Sequence, residues 1–122
     1  MATVLVNTGK AIVTNYLAGG AATQPKYIGW GTGAGTAAIT DTTLFTENGS
    51  RTTGIASQVT TTTTDDTFQV VGTLTAGSGL TITNAGTFDA ASSGNLFVKG
   101  DFTGLVLASG DSIQFTIKTQ FS

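Results

Sequence analysis

Cysteine and histidine are both absent from this 122-residue chain, and there is only one proline. The first absence excludes disulfides and thiolate nucleophiles; the second removes the usual zinc ligand and the side chain that titrates near neutral pH. Ser-His and Cys-His catalytic pairs therefore cannot be assembled. Charge is scarce as well, with five Lys/Arg against seven Asp/Glu and a net charge of −2. Five cations cannot supply the basic footprint that a phosphate backbone needs, so nucleic acid is not an expected partner. No stretch approaches the roughly 20 apolar residues that cross a bilayer as a helix. The opening MATVLVNTGK has no charged segment followed by a long apolar run, so neither a membrane partner nor a secretion signal is expected.

What remains is a chain rich in glycine, 17 residues, and in threonine and β-branched residues, with 10% charged residues and a mean hydropathy of +0.21. Its length suits one domain over residues 1–122 with a single core. Few charges combined with positive hydropathy point to surfaces that other protein covers.

Only one segment has helical periodicity. Asn7 or Thr8 can cap a helix over residues 8–18, with Ile12, Val13, Tyr16 and Leu17 on one stripe and Gly19-Gly20 as a left-handed stop. Residues 1–6 form an N-terminal arm or a strand. From Lys26 onward the pattern is β. In TFQVVGTLTA, Phe68, Val70, Gly72, Leu74 and Ala76 alternate with polar residues. In SIQFTIKTQF, Ile113, Phe115, Ile117 and Phe121 alternate with Ser112, Gln114, Thr116, Lys118 and Gln120. Turn signals fall at Asp65-Asp66, Ser78-Gly79, Ser93-Gly94 and Ser109-Gly110-Asp111. About eight strands at this spacing predict an all-β, antiparallel two-sheet sandwich, for which a jelly-roll order is one natural connection, with one N-terminal helix. Thr60 to Thr64 reads as the exposed end of a long strand, and Thr40-Asp41 as the cap of a helical turn that inserts Leu44 and Phe45 into the core.

GWGTGA, residues 29–34, matches G-x-G-x-x-A, the fingerprint that binds a dinucleotide when it opens a helix in a β-α-β unit. Here the run continues through glycine and threonine without an amphipathic helix. Gly29, Gly31 and Gly33 are accordingly read as a bend that lets a strand and a loop pack closely, and no cofactor is expected. Glu47 and Arg51, four apart around the turn NGS, are either a solvated rim pair or a partly buried pair pinning the loop that begins at Gly31. Asp65-Asp66 lacks the six to eight oxygen ligands that calcium usually takes, so it reads as a hairpin tip and no metal is expected. Asn48-Gly49-Ser50, a formal glycosylation acceptor, also reads as a turn. No carboxylate pair or activated serine suggests catalysis, and the chain is not expected to be an enzyme.

Taken in order, NTGKAIVTNYLAGG, KYIGWGTGAG, DTTLFTE with Arg51, TFQVVGTLTA, ITNAGTFDAASSGNLFVKGDF and GDSIQFTIKTQF resemble a family of small tailed-bacteriophage virion proteins, the capsid cement or decoration proteins. The likeness spans nearly the whole chain; Thr83-Asn84 stands where that pattern often has an acid before AGxFDA. The resemblance implies a structural protein on the outer capsid surface of the virion, made in the bacterial host cytoplasm. It would stabilise contacts between major capsid proteins and form homo-oligomers, with a trimer favoured. The implied interface is the arm residues Thr3, Val4 and Leu5, the tips Asn48-Gly49 and Ser92-Ser93, and an uncharged face containing Thr60, Thr62, Thr64, Gln58, Gln114, Thr116 and Gln120. The alternative is a tail or fibre module that recognises host surface glycans, for which Trp30 beside Asp41 is the one sugar-stacking candidate.

Overall fold

The period-two segments pair as strands in the computed structural model, which describes residues 3–122. The elements are β1 (Thr3–Leu5), α1 (Asn7–Leu17), β2 (Tyr27–Gly31), β3 (Glu47–Thr53), β4 (Ile55–Val59), β5 (Thr67–Thr75), β6 (Leu80–Phe88), β7 (Leu96–Leu107) and β8 (Ser112–Gln120). They form two sheets, a five-stranded one ordered β1-β7-β6-β2-β3 and a three-stranded one ordered β4-β5-β8. All strand pairs are antiparallel. The expected all-β two-sheet sandwich with one N-terminal helix is the observed fold. Its strand order divides five and three.

The chain passes from one sheet to the other at Gly54, whose N–H donates to the carbonyl of Lys26 at 2.7 Å. A Cβ there would strike Val70 and the Lys26 carbonyl, so the crossing requires glycine. Between the sheets lies the main core of Ile28, Trp30, Val70, Leu74, Ala76, Ile82 and Ala85, closed from the three-stranded side by Ile113, Phe115 and Ile117. The predicted inward rows of β5 and β8 are the residues that pack there. Phe121 is an exception: it follows β8 and is half exposed.

Two further clusters adjoin that core. Val6, Leu44, Phe88 and Leu96 pack on the far side of the five-stranded sheet, under the loop of residues 32–46. Ile12, Phe97 and Val98 form the third, where α1 covers the start of β7.

Four local expectations are corrected. α1 begins at Asn7 after Val6, with no side-chain cap; Thr8 instead donates its hydroxyl to the carbonyl of Leu96 at 2.6 Å, because the first turn is pressed against β7. Only Ile12 of its apolar stripe is fully buried, with Val13 intermediate and Tyr16 and Leu17 exposed. No helical turn follows Thr40-Asp41; Leu44 is buried and Phe45 partly buried, but from an irregular loop that turns at Phe45-Thr46. Thr60 to Thr64 is not a strand end, since β4 stops at Val59 and these residues form the loop to β5. The Asp66 carboxylate organises that loop by accepting the N–H groups of Thr61, Thr62 and Thr63 at 2.9, 3.1 and 3.0 Å, which outcompetes ladder pairing.

Candidate interaction surface

The two sheets present very different outer faces. That of the five-stranded sheet is a trough floored by glycine. A Cβ on Gly29 would meet the Glu47 carboxylate and Leu44, one on Gly31 the Phe45 carbonyl and Asn84, and one on Gly33 Thr46 and Phe45. Loop 32–46 lies in this trough, so the glycine cluster is a bend that admits a packed loop, and no helix follows it.

Polar side chains of the sheet hold the loop by its backbone. Asn84 accepts the Phe45 N–H at 3.0 Å and donates to the Phe45 carbonyl at 3.1 Å. Thr83 donates to the carbonyl of Gly33, and Asp101 accepts the Ala37 N–H at 2.7 Å. Lys99, only 1% exposed, sends its ammonium to Asp41 Oδ2 at 3.0 Å and to the Thr43 carbonyl at 2.8 Å. The same ammonium sits 3.2 Å from the centroid of the Phe45 ring. A buried ammonium in mid-strand needs this full set of partners. The Ala38 N–H, seconded by Lys99, holds the Asp41 carboxyl below the usual carboxylate range.

A second cation pins a second loop. Arg51 makes a two-pronged contact with Glu47, Nε to Oε2 at 2.8 Å and Nη2 to Oε1 at 3.0 Å. Its Nη1 reaches the carbonyls of Ala90 and Ser93 at 2.9 and 2.6 Å, and the guanidinium lies 3.4 Å from the Phe88 ring centroid. The arginine side chain is 6% exposed. Of the two readings left open by the sequence, the partly buried pair is therefore the one realised. It fastens the β6–β7 loop, however, rather than the loop after Gly31.

The three-stranded sheet has no such cover over most of its outer face. Registers place Ile55, Ser57 and Val59 of β4 beside Val71, Gln69 and Thr67 of β5. These β5 residues, with Thr73 and Thr75, lie beside Thr116, Lys118, Gln120, Gln114 and Ser112 of β8. In this row Lys118 alone is charged. The Thr60–Asp66 loop covers only the end at Thr67, where Gln120 donates to Thr62 and Asp66 at 3.0 Å. The amides of Thr63 and Thr61, with the Thr67 hydroxyl and the Thr62 amide, hold the Asp66 carboxyl far below its ordinary range.

The expected interface residues fall into three separate places. Thr3, Val4 and Leu5 are paired within the chain as the edge strand beside β7, rather than projecting as an arm, and Val6 after them is fully buried. The remainder of the arm, residues 1 and 2, lies outside the described residues. Asn48 and Gly49 are exposed in the irregular stretch of β3 at the opposite edge of that sheet. Gly49 and Ser92-Ser93 line one cleft of about 250 Å³ beside the Arg51 pair. Thr60, Thr62 and Thr64 lie with Gln120 at one end of the uncharged face. Gln114, Thr116 and Gln120 belong to that face as expected, whereas Gln58 pairs with Phe68 on the opposite row.

The glycan candidate does not survive. Trp30 is 2% exposed and meets Phe115 edge-on between the sheets, and Asp41 is engaged with Lys99 on the other side of the five-stranded sheet. Among the described residues no three acidic side chains come together in a way that could hold a metal ion. Sequence reasoning missed Lys99, Asn84 and Asp101. A lysine inside the apolar run LFVKG is the signal that could have found the first of them. Comparison with protein-family models, with curated proteins and with solved structures found no match for this chain.

Proposed function

We propose that this protein is a structural component of a bacteriophage virion, a cement protein that binds the outer surface of the head and bridges major capsid proteins. The observation that carries this reading is the open, nearly uncharged outer face of the three-stranded sheet, backed by a body whose long loops are tied down. Hydroxyls and amides cost less to desolvate than ions and can pair with whatever backbone or side chain meets them. The ordered series of sequence motifs supplies the choice of a phage head as the partner.

Size decides how such a face works. Three strands of up to nine residues cover about 14 Å by about 30 Å, or roughly 400 Å². A standard stable interface buries about 800 Å² per partner, so one copy held by this face alone binds weakly. Many copies on one shell act together, and each stabilises the junction it spans. The Asn48-Gly49 and Ser92-Ser93 tips, on the other sheet, are available to neighbouring subunits.

The test is reconstitution. Purified protein titrated onto heads that lack it binds in hundreds of copies and restores resistance to heat or chelator. Absence of binding to intact heads defeats the proposal, and a few copies confined to the tail assigns the protein to a tail or fibre instead.

A further inference from the structure

Of the asparagines in the chain, only Asn48 is followed by glycine. The others precede Thr8, Tyr16, Ala85 and Leu96, each with a Cβ beside its amide nitrogen. Asn84 is fully buried with its carboxamide bound to both backbone groups of Phe45, and Asn95 donates to Asp89 at 3.1 Å. Asn48 is exposed, and among the described residues no hydrogen bond holds its carboxamide.

The backbone around it is open as well. Between the pairs Ile28–Thr52 and Trp30–Asn48 the register slips, so that Gly49, Ser50 and Arg51 stand against Gly29 alone. Gly49 therefore has no partner of its own across the ladder, and β3 is the edge strand, with no strand on its other side. Its φ is +70°, and nothing lies within 4 Å of the place a Cβ would take. Glycine in such a bulge has the conformational freedom to bring its nitrogen against the side chain before it.

We propose that Asn48 is a site of self-modification, a deamidation in which the Gly49 amide nitrogen is the nucleophile and water the co-reactant. The nitrogen gives its proton to hydroxide and attacks Cγ of Asn48. The bond from Cγ to Nδ2 breaks, and Nδ2 leaves as ammonia after taking a proton from water, which restores the hydroxide. A cyclic imide remains. Water then opens it at Cγ, giving aspartate, or at the main-chain carbonyl, giving isoaspartate. In sum, water is consumed and ammonia released, with no change of oxidation state.

Either product changes the tip. It gains a negative charge on a chain whose net charge is only −2, next to Glu47, whose carboxylate is already engaged by Arg51. Isoaspartate also inserts a methylene into the main chain at the residue that pairs with Trp30, which breaks the ladder there. The charge of this tip thus changes with the age of the molecule. None of this rests on binding to heads, and it is measured on the isolated chain.

The test follows the folded full chain over days in warm, mildly alkaline buffer, with anion exchange to separate acidic species and digestion and mass spectrometry to locate the change. Asn48 is expected to convert at least about tenfold faster than any other asparagine, a barrier lower by about 1.4 kcal/mol. The acidic species contain aspartate and isoaspartate at that position. Asn48→Asp carries the aspartate product from the start and co-elutes with the aspartate-containing species, whereas Asn48→Ser forms no such species. Unchanged thermal melts establish that both variants fold. Conversion that occurs only in chain unfolded by urea overturns the proposal, because the fold then holds Gly49 away from Cγ. So do an Asn48 that stays intact throughout, conversion of Asn15 or Asn95 at the same rate, and an Asn48→Ser protein that acidifies like wild type.

Discussion

The outer faces of the two sheets are built from the same kind of strand and put to opposite uses. On the five-stranded sheet, small residues open space and a few ionised or amide groups tie two loops down. Arg51 and Lys99, two of the five basic residues, are both consumed there, each against an aromatic ring. On the three-stranded sheet, hydroxyls and amides stand in the open beside the exposed Ile55, with Lys118 as the single ion of the row. The acids show the same economy. Asp41, Asp66, Asp89, Asp101 and Asp111 each accept a backbone N–H from a loop or turn. Charge in this protein works mainly inside its architecture, which is how a chain with so few ions can keep one face nearly free of them and still hold long loops in place.

The sharpest way to break this contrast is at Lys99. Lys99→Ala strands the Asp41 carboxylate and the Thr43 carbonyl and opens a void beside Phe45, so chemical denaturation should show a loss of about 3–5 kcal/mol. An exposed lysine substitution on the other sheet, Thr116→Lys, should cost under about 0.5 kcal/mol. Equal effects at the two positions would erase the distinction between the faces.

Arg51 comes next. Truncation to alanine removes three carbonyl or carboxylate partners and a ring contact, for an expected loss of about 2–4 kcal/mol. In a double-mutant cycle with Glu47→Ala the coupling should exceed about 1 kcal/mol. Strict additivity would reduce the pair to a rim contact worth well under that figure.

A smaller effect is expected with acid. The carboxyls of Asp41 and Asp66 both ionise below their usual 3.8 in the folded chain. Their stabilisation is therefore complete above that value and disappears as pH falls through the lower folded values. Thermal midpoints should stay level between about pH 7 and 5 and decline below about pH 4, and Asp66→Asn should make that decline shallower. A decline already complete by pH 5 would point to different groups.

Much of this was legible in the sequence because one-faced burial writes itself as alternation. The rows Val70-Leu74-Ala76 and Ile113-Phe115-Ile117 announced two strands that share a core, and β5 and β8 are the central and edge strands that do so. Glycine at 29, 31 and 33 announced a close approach. Which loop approaches was not legible, because Asn84, Lys99 and Asp101 bind backbone carbonyls and amides, groups present at every residue. Thr60 to Thr64 misled for a related reason. β-Branched residues favour strands, yet one nearby carboxylate offered the backbone three hydrogen bonds and drew the segment into a loop. The apolar stripe of α1 was legible as a stripe, but periodicity reports that a face is apolar and not what covers it. Leu17 and Tyr16 remain on the outside of this molecule.

On the proposed function, the open face of the three-stranded sheet is the surface that meets the head. Gln114→Lys with Thr116→Lys places two new ammonium groups in the middle of that face, beside Lys118, without touching either pinned loop. Co-sedimentation with heads lacking the protein is the direct measurement: this double variant is expected to melt within a few degrees of wild type yet fail to load onto heads that wild type fills. Loading of the double variant to wild-type occupancy would contradict it.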